Sequence, residues 1–253
     1  MEWTLESVRE SLIRQEDTII FSLIERAKYP INSQIYAGGF AGSPYSLVEY
    51  LARETEALQS KAGRYESPEE NPFFPDNLPA PLMPSSNNQS NFLHPAGASV
   101  NINQKIWDLY FNELLPLFVS EGDDDGNYSQ TAASDFLCLQ ALSRRIHFGK
   151  FVAEVKFRDA PQDYEPAILN EDRNSLMKLL TFEKVEEMVK RRVEKKARVF
   201  GQEVNVDHNE NIGEGKYKID PENVSHLYGE WLIPLTKVVE VDYLLRRLSS
   251  QRI

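Results

Sequence analysis

Apolar residues recur along this chain at intervals of three and four, and rarely in strict alternation. That spacing builds one apolar stripe on a helix and denies a strand the period-two face it needs for pairing. The class it dictates is all-α, a bundle of helices packed on helices. Leu5, Val8, Leu12, Ile19 and Leu23 form one such stripe, in a helix predicted over 4–28 with Pro30 just past its end. Ser46-Leu47-Val48-Glu49 has the form of a capping box and opens a second helix towards Gly63. A third spans 103–120, where Pro116 predicts a kink. The long central helix covers 130–157, apolar at Phe136, Leu137, Leu139, Leu142, Ile146, Phe151 and Val155. Shorter helices follow over 165–170 and 173–180, then one over 182–200 with Gly201 as its C′ residue. Asp220-Pro221 reads as N-cap and first position of the last helix, which runs to about Ser249 and bends at Pro234.

Three irregular stretches separate these helices. Residues 67–102 carry seven of the 14 prolines and the tract Ser85-Ser86-Asn87-Asn88-Gln89-Ser90-Asn91. They read as a long surface excursion from one domain over 1–253, because neither flank holds a self-sufficient core. Residues 121–129 form an acidic loop and 202–219 a polar one. With 253 residues the chain is long enough to bury a sizeable core.

Charge narrows the function. Lys and Arg number 28 against 39 Asp and Glu, a net charge of −11, which argues against a general nucleic-acid binder. A small anion needs only a few converging cations, so a local basic pocket is still open to it. No apolar run approaches the roughly 20 residues of a membrane span. The single cysteine leaves no intramolecular disulfide framework and suits a reducing compartment. Met1-Glu2-Trp3-Thr4-Leu5-Glu6 has neither the character of a secretory signal nor that of a transit peptide, so the expected location is the cytosol.

Most motif-like features here are plain. Asp207-His208-Asn209-Glu210-Asn211-Ile212-Gly213 lacks the sixth-position glycine and twelfth-position acid of a calcium loop. Gly213-Glu214-Gly215-Lys216 lacks P-loop spacing. Cys138 lies between Leu137 and Leu139, where an apolar setting makes a thiol inert. His94, His147, His208 and His226 show no metal-ligand spacing.

Two segments carry more. Arg145 and Lys156 are eleven residues apart, which on a helix returns almost to the same azimuth about 16 Å further along the axis. Their side chains have the reach to converge on one anion; a solvated basic face is the plainer alternative. Thr236 and Glu240 share a helical face, and Glu240 stands between Val239 and Val241. A carboxyl there is either paired or raised in pKa by desolvation.

Longer stretches are recognisable. Val8-Arg9-Glu10-Ser11-Leu12-Ile13-Arg14-Gln15-Glu16-Asp17, Glu66-Ser67-Pro68-Glu69-Glu70-Asn71-Pro72-Phe73-Phe74-Pro75-Asp76, the run from Leu139 through Ser143-Arg144-Arg145-Ile146-His147-Phe148-Gly149-Lys150 to Glu154, and Val239-Glu240-Val241-Asp242-Tyr243 together resemble eukaryotic chorismate mutases, with Phe200-Gly201-Gln202-Glu203-Val204 similar to the plant branch. The resemblance implies an all-helical homodimer that converts chorismate to prephenate on the route to Phe and Tyr. It implies that Arg9 and Arg145 bind the two substrate carboxylates, that Lys156 binds the ether oxygen and a carboxylate oxygen, and that Glu186 accepts from the ring hydroxyl. Glu240 would bond the ether oxygen, with Thr236 lining the same pocket. One position departs: Phe182 stands where fungal members have an asparagine four residues before the glutamate.

A [3,3] rearrangement needs no nucleophile, metal or cofactor, so none is expected. It needs the diaxial conformer held and donors aimed at the ether oxygen as the C–O bond breaks. For that purpose Glu240 must be protonated, and burial and Lys156 pull its pKa in opposite directions. A rival from another class is a non-catalytic helical dimer that senses aromatic amino acids, for which the five ionic residues would have no use. In the family, effector amino acids bind at the dimer interface. The corresponding positions here are Gly63 and Arg64 on one side, and Asn127, Ser129, Gln130 and Ala133 on the other. Only one arginine remains of a pair, and Ser129 replaces a glycine whose missing side chain would admit a ligand close to the backbone. Weak or absent binding of Phe, Tyr and Trp is therefore expected.

Overall fold

The computed structural model of the protein describes residues 3–76, 78–83, 92–120, 122–203 and 216–248. Its first helix, α1 (Leu5–Arg26), opens on a reciprocal cap: Thr4 Oγ1 accepts from the Ser7 amide, and the Thr4 amide donates to Ser7 Oγ. α2 (Leu47–Lys61) is capped by Ser46, which accepts from the Glu49 amide, while the Glu49 carboxylate pairs with Arg53. α3 (Pro95–Ala98) is one turn within the proline-rich stretch, where Phe73, Leu93 and Val100 are buried. Phe73 and Phe74 give their amides to Glu56 of α2 at 2.7 and 2.9 Å, which pins that stretch to the bundle.

α4 (Asn103–Leu109) passes through a π turn (Tyr110–Leu114) into α5 (Leu115–Phe118). The kink expected at Pro116 takes this form because a proline ring presses on the carbonyl four residues back, and a turn wider by one residue moves that carbonyl away. α6 (Tyr128–His147) and α7 (Gly149–Asp159) follow, then α8 (Pro161–Leu169), α9 (Arg173–Leu180) and α10 (Glu183–Gly201). α11 (Pro221–Leu227) is capped by Asp220 and runs through a second π turn (Tyr228–Leu232) into α12 (Ile233–Arg247). Pro234 stands two residues after that turn, as Pro116 does after the first.

Two expectations are corrected. The central helix is not continuous over 130–157 but breaks between α6 and α7 at Phe148. Gly201 is the last residue of α10 rather than a C′ residue beyond it. The Asp207–Gly213 loop, His208 and the tract over 85–91 lie outside the described residues.

α6 is central: α1, α2, α4 and α12 all pack on it. Ile19, Ile20 and Leu23 of α1 meet Phe136, Leu139 and Leu142 of α6 and Val193 of α10 in one apolar cluster. A second gathers Phe148, Phe151 and Val155 with Ile168, Leu176 and Leu244. Cys138 is buried in the first, and burial pushes its thiol up to about 12, in keeping with an inert core residue.

Candidate active site

The break in the central helix positions the site. A Cβ on Gly149 would stand 2.8 Å from the Thr236 carbonyl and 3.3 Å from Glu240 Cγ, so only glycine admits α12 this close. The approach sets Thr236 and Glu240 against the facing side chains of α6 and α7. Arg145 Nη1 donates to Thr236 Oγ1 at 3.3 Å, and Thr236 passes its own proton to the Leu232 carbonyl at 2.6 Å. Lys156 Nζ donates to Glu240 Oε2 at 3.2 Å. Arg145, Thr236 and Glu240 are each no more than 6 % exposed.

Burial raises the Glu240 carboxyl above the ordinary carboxylate range, against the pull of Lys156, Arg145 and Lys237. Desolvation wins the contest that the sequence leaves open. Arg145 Nε is buried without a protein partner, and so is the hydroxyl of Tyr228, whose ring centroid is 6.0 Å from the Arg145 guanidinium. A buried guanidinium with donor capacity to spare beside a carboxyl raised in pKa is a setting for an anion that also offers an acceptor oxygen.

The remaining predicted residues are placed less centrally. Glu186, in the first turn of α10, pairs with Lys237 at 3.0 Å. Arg9 is exposed on α1 and donates to none of the described residues. Residues that the sequence did not point to include Tyr228, Lys237 and Glu16. Glu16 is fully buried on α1 and accepts from Arg192 and Lys196 of α10. A lone acid at a core-facing step of the α1 stripe was the available signal for it.

A family model for chorismate mutase type II matches residues 127–241. Chorismate mutase 2 of Arabidopsis thaliana is 65 % identical, covering 97 % of this chain and 94 % of that protein. The chain belongs to the chorismate mutase family. The cytosolic chorismate mutase 2 of Zea mays is 55 % identical over 97 % of this chain and 96 % of its own. Among solved structures, AtCM1 with tyrosine bound in its allosteric site is 52 % identical with a TM-score of 0.85, covering 97 % of this chain and 96 % of its own. A Candida albicans chorismate mutase in complex with L-Trp is 36 % identical with a TM-score of 0.90, covering 98 % and 96 %.

These chorismate mutases overturn the expectation of weak or absent effector binding. AtCM1 is also known with phenylalanine in the allosteric site, at 52 % identity and a TM-score of 0.86 over 97 % of this chain and 96 % of its own. The structure supplies a reason why the glycine argument fails. Ser129 lies in the first turn of α6 and is exposed, a helical position that any side chain adopts. Arg64 is in place after Gly63, whose φ is +85°, and holds Glu70 at 2.9 Å and Gln140 at 3.0 Å. Asn127, Gln130 and Ala133 lie at the start of α6, two or more turns from Gln140, so one chain does not bring the two sides together. No helix among the described residues is long and apolar enough to cross a membrane.

Proposed function

We propose that the cradle between α6, α7 and α12 binds chorismate in its diaxial conformer and stabilises the ether oxygen while the C–O bond breaks and the new C–C bond forms. The observation that carries this reading is the pairing of Lys156 with Glu240 beside Arg145 and Thr236, with Arg145, Thr236 and Glu240 almost wholly buried. Arg145 forks one substrate carboxylate and Arg9 swings in from α1 for the other. Lys156 donates to the ether oxygen and a carboxylate oxygen, and Glu186 accepts from the ring hydroxyl. In this reading Glu240, whose pKa burial raises, acts as the neutral acid and donates a hydrogen bond to the ether oxygen as negative charge grows there. An ionised Glu240 would repel that oxygen.

The test is the pH profile of chorismate turnover. Because the neutral acid is the working form, activity should decline as pH rises through the elevated Glu240 pKa. Glu240→Gln donates at every pH, so it should stay active with a flattened alkaline limb, and Glu240→Ala should be impaired throughout. Equal behaviour of the two variants would remove Glu240 from the role.

The same reading includes a homodimer, supported by the separation of Arg64 from the α6 start within one chain and by exposed Leu58 and Leu137 on the facing helices. Sedimentation should give twice the chain mass. An aromatic amino acid would then bind across the two chains, and the related structures that hold Tyr or Phe in an allosteric site, or L-Trp, support such an effector. At least one of the three should shift turnover or melting temperature, and Arg64→Ala should abolish that shift. A cytosolic location fits the likeness to the Zea mays isoform.

A further inference from the structure

Lys237 follows Thr236 on α12 and has no part in the roles above. Its ammonium meets Glu186 Oε1 at 3.0 Å and Thr181 Oγ1 at 3.3 Å, and its side chain is only 16 % exposed. Thr181 is itself fixed, donating to the Met177 carbonyl at 2.8 Å at the end of α9. Three helices thus meet at one cation: the close of α9, the opening turn of α10 and the body of α12.

The next residue, Phe182, has no side-chain polar atom to offer the Glu186 carboxylate, and its ring lies instead over Lys156 at 5.1 Å. Lys237 is therefore the donor that fixes the Glu186 carboxylate. A glutamate side chain left to itself in a first turn samples several rotamers, and ordering them on substrate binding costs affinity. A donor already seated on one oxygen removes much of that cost and leaves the other oxygen free to accept.

We infer that Lys237 is a positioning residue: it holds Glu186 Oε1 so that Oε2 is presented to the ring hydroxyl of the substrate. The inference rests on the reading of Glu186 as the hydroxyl acceptor. A second consequence follows from where the cation sits. The charged and titratable groups facing Glu240 are Lys156 of α7, Arg145 of α6, Tyr164 of α8 and Lys237 on its own helix. Each cation favours the ionised form, so loss of Lys237 lets Glu240 keep its proton to higher pH.

Steady-state turnover of chorismate by the full chain across pH tests this, with Lys237→Met, Lys237→Arg, Glu186→Gln and the double variant Lys237→Met/Glu186→Gln. Lys237→Met should raise KM about ten-fold, the loss expected for one charge-assisted hydrogen bond, with kcat changed much less. Its alkaline limb should move to higher pH. Lys237→Arg should restore most of both. In the Glu186→Gln background, Lys237→Met should add little to KM, because the two residues act as one unit.

A KM within about two-fold of wild type and an unmoved alkaline limb in Lys237→Met would overturn the inference. So would full additivity with Glu186→Gln, which would mean that the cation attracts the substrate dianion directly. An unchanged KM in Glu186→Gln itself would overturn the reading of Glu186 and this inference with it; a raised KM there beside a normal Lys237→Met would overturn the inference alone. If Lys237→Met loses its helical circular dichroism, Thr181→Val carries the test. A KM raised a few-fold is expected there, and an unchanged KM overturns the inference.

Discussion

Arg145 and Lys156 each meet a partner on α12, Thr236 for the first and Glu240 for the second. In the proposed reading both act through charge and donor geometry, and Arg145 is also almost wholly buried. Arg145→Ala and Lys156→Ala are each expected to lose at least ~10²-fold in kcat/KM while the helical circular dichroism is kept. Near-normal turnover in either would return that segment to a structural basic face. The sequence singled out this pair as a candidate anion site, and the structure gives each a partner on α12. Helical spacing placed the two cations on one azimuth, and in the structure each meets its own partner, Thr236 and Glu240, four residues apart on α12. The upward shift of the Glu240 pKa was not legible, because it depends on how completely α7 and α12 exclude water. Lys237 was invisible, since a lysine on an amphipathic helix reads as solvated until its neighbours in space are known.

The contact of α7 with α12 hangs on one missing side chain. Gly149→Ala would press a methyl on the Thr236 backbone carbonyl, which has no rotamer through which to yield. α12 should shift outward, costing about 1–3 kcal/mol of stability in urea unfolding. The same shift separates Glu240 from Lys156, so kcat/KM should fall together with the unfolding midpoint. Intact turnover in Gly149→Ala would mean that α12 adjusts without moving the site. Helix existence was legible nearly everywhere, through the apolar stripes of α1 and α6 and the caps at Ser46 and Asp220. What escaped was how helices accommodate proline and glycine. Pro116 and Pro234 read as kinks, and Gly149 as one more residue in a continuous helix, because the cause in each case lies in backbone geometry or in a packed neighbour.

Across the whole molecule, buried polar groups tie distant segments together. Arg26 of α1 and Asp135 of α6 pair at 2.5 Å, both almost wholly buried, and Tyr36 and Tyr110 each donate to the same carboxylate at 2.7 Å. Asp135→Ala would strand the Arg26 charge and should cost about 3–5 kcal/mol in equilibrium unfolding. A cost under about 1 kcal/mol would show that water reaches the guanidinium. His147 ties α6 to the start of α4, accepting the Ile102 amide at 2.9 Å while its other ring nitrogen lies 2.8 Å from the Ser143 carbonyl. Burial, with Lys150 nearby, lowers its pKa from 6.5 to about 3. The unfolded chain then binds the extra proton between those values, so stability should fall as pH drops from 6.5 towards 3. Replacing His147 with Gln should flatten that part of the stability curve, as read by thermal unfolding at a series of pH values.

The two π turns also set phase. An inserted residue advances everything after it by about 100° around the helix axis. The path from Pro221 to Arg247 serves different neighbours along its length, α10 beside α11, then α7, α9 and α3 beside α12. One unbroken α-helix would carry a single stripe past all of them. The extra residue at Tyr228–Leu232 turns the second stretch to a new bearing, and it is on that bearing that Thr236 and Glu240 face inward. Excising Gly229 would leave every later side chain chemically unchanged and pointing the wrong way.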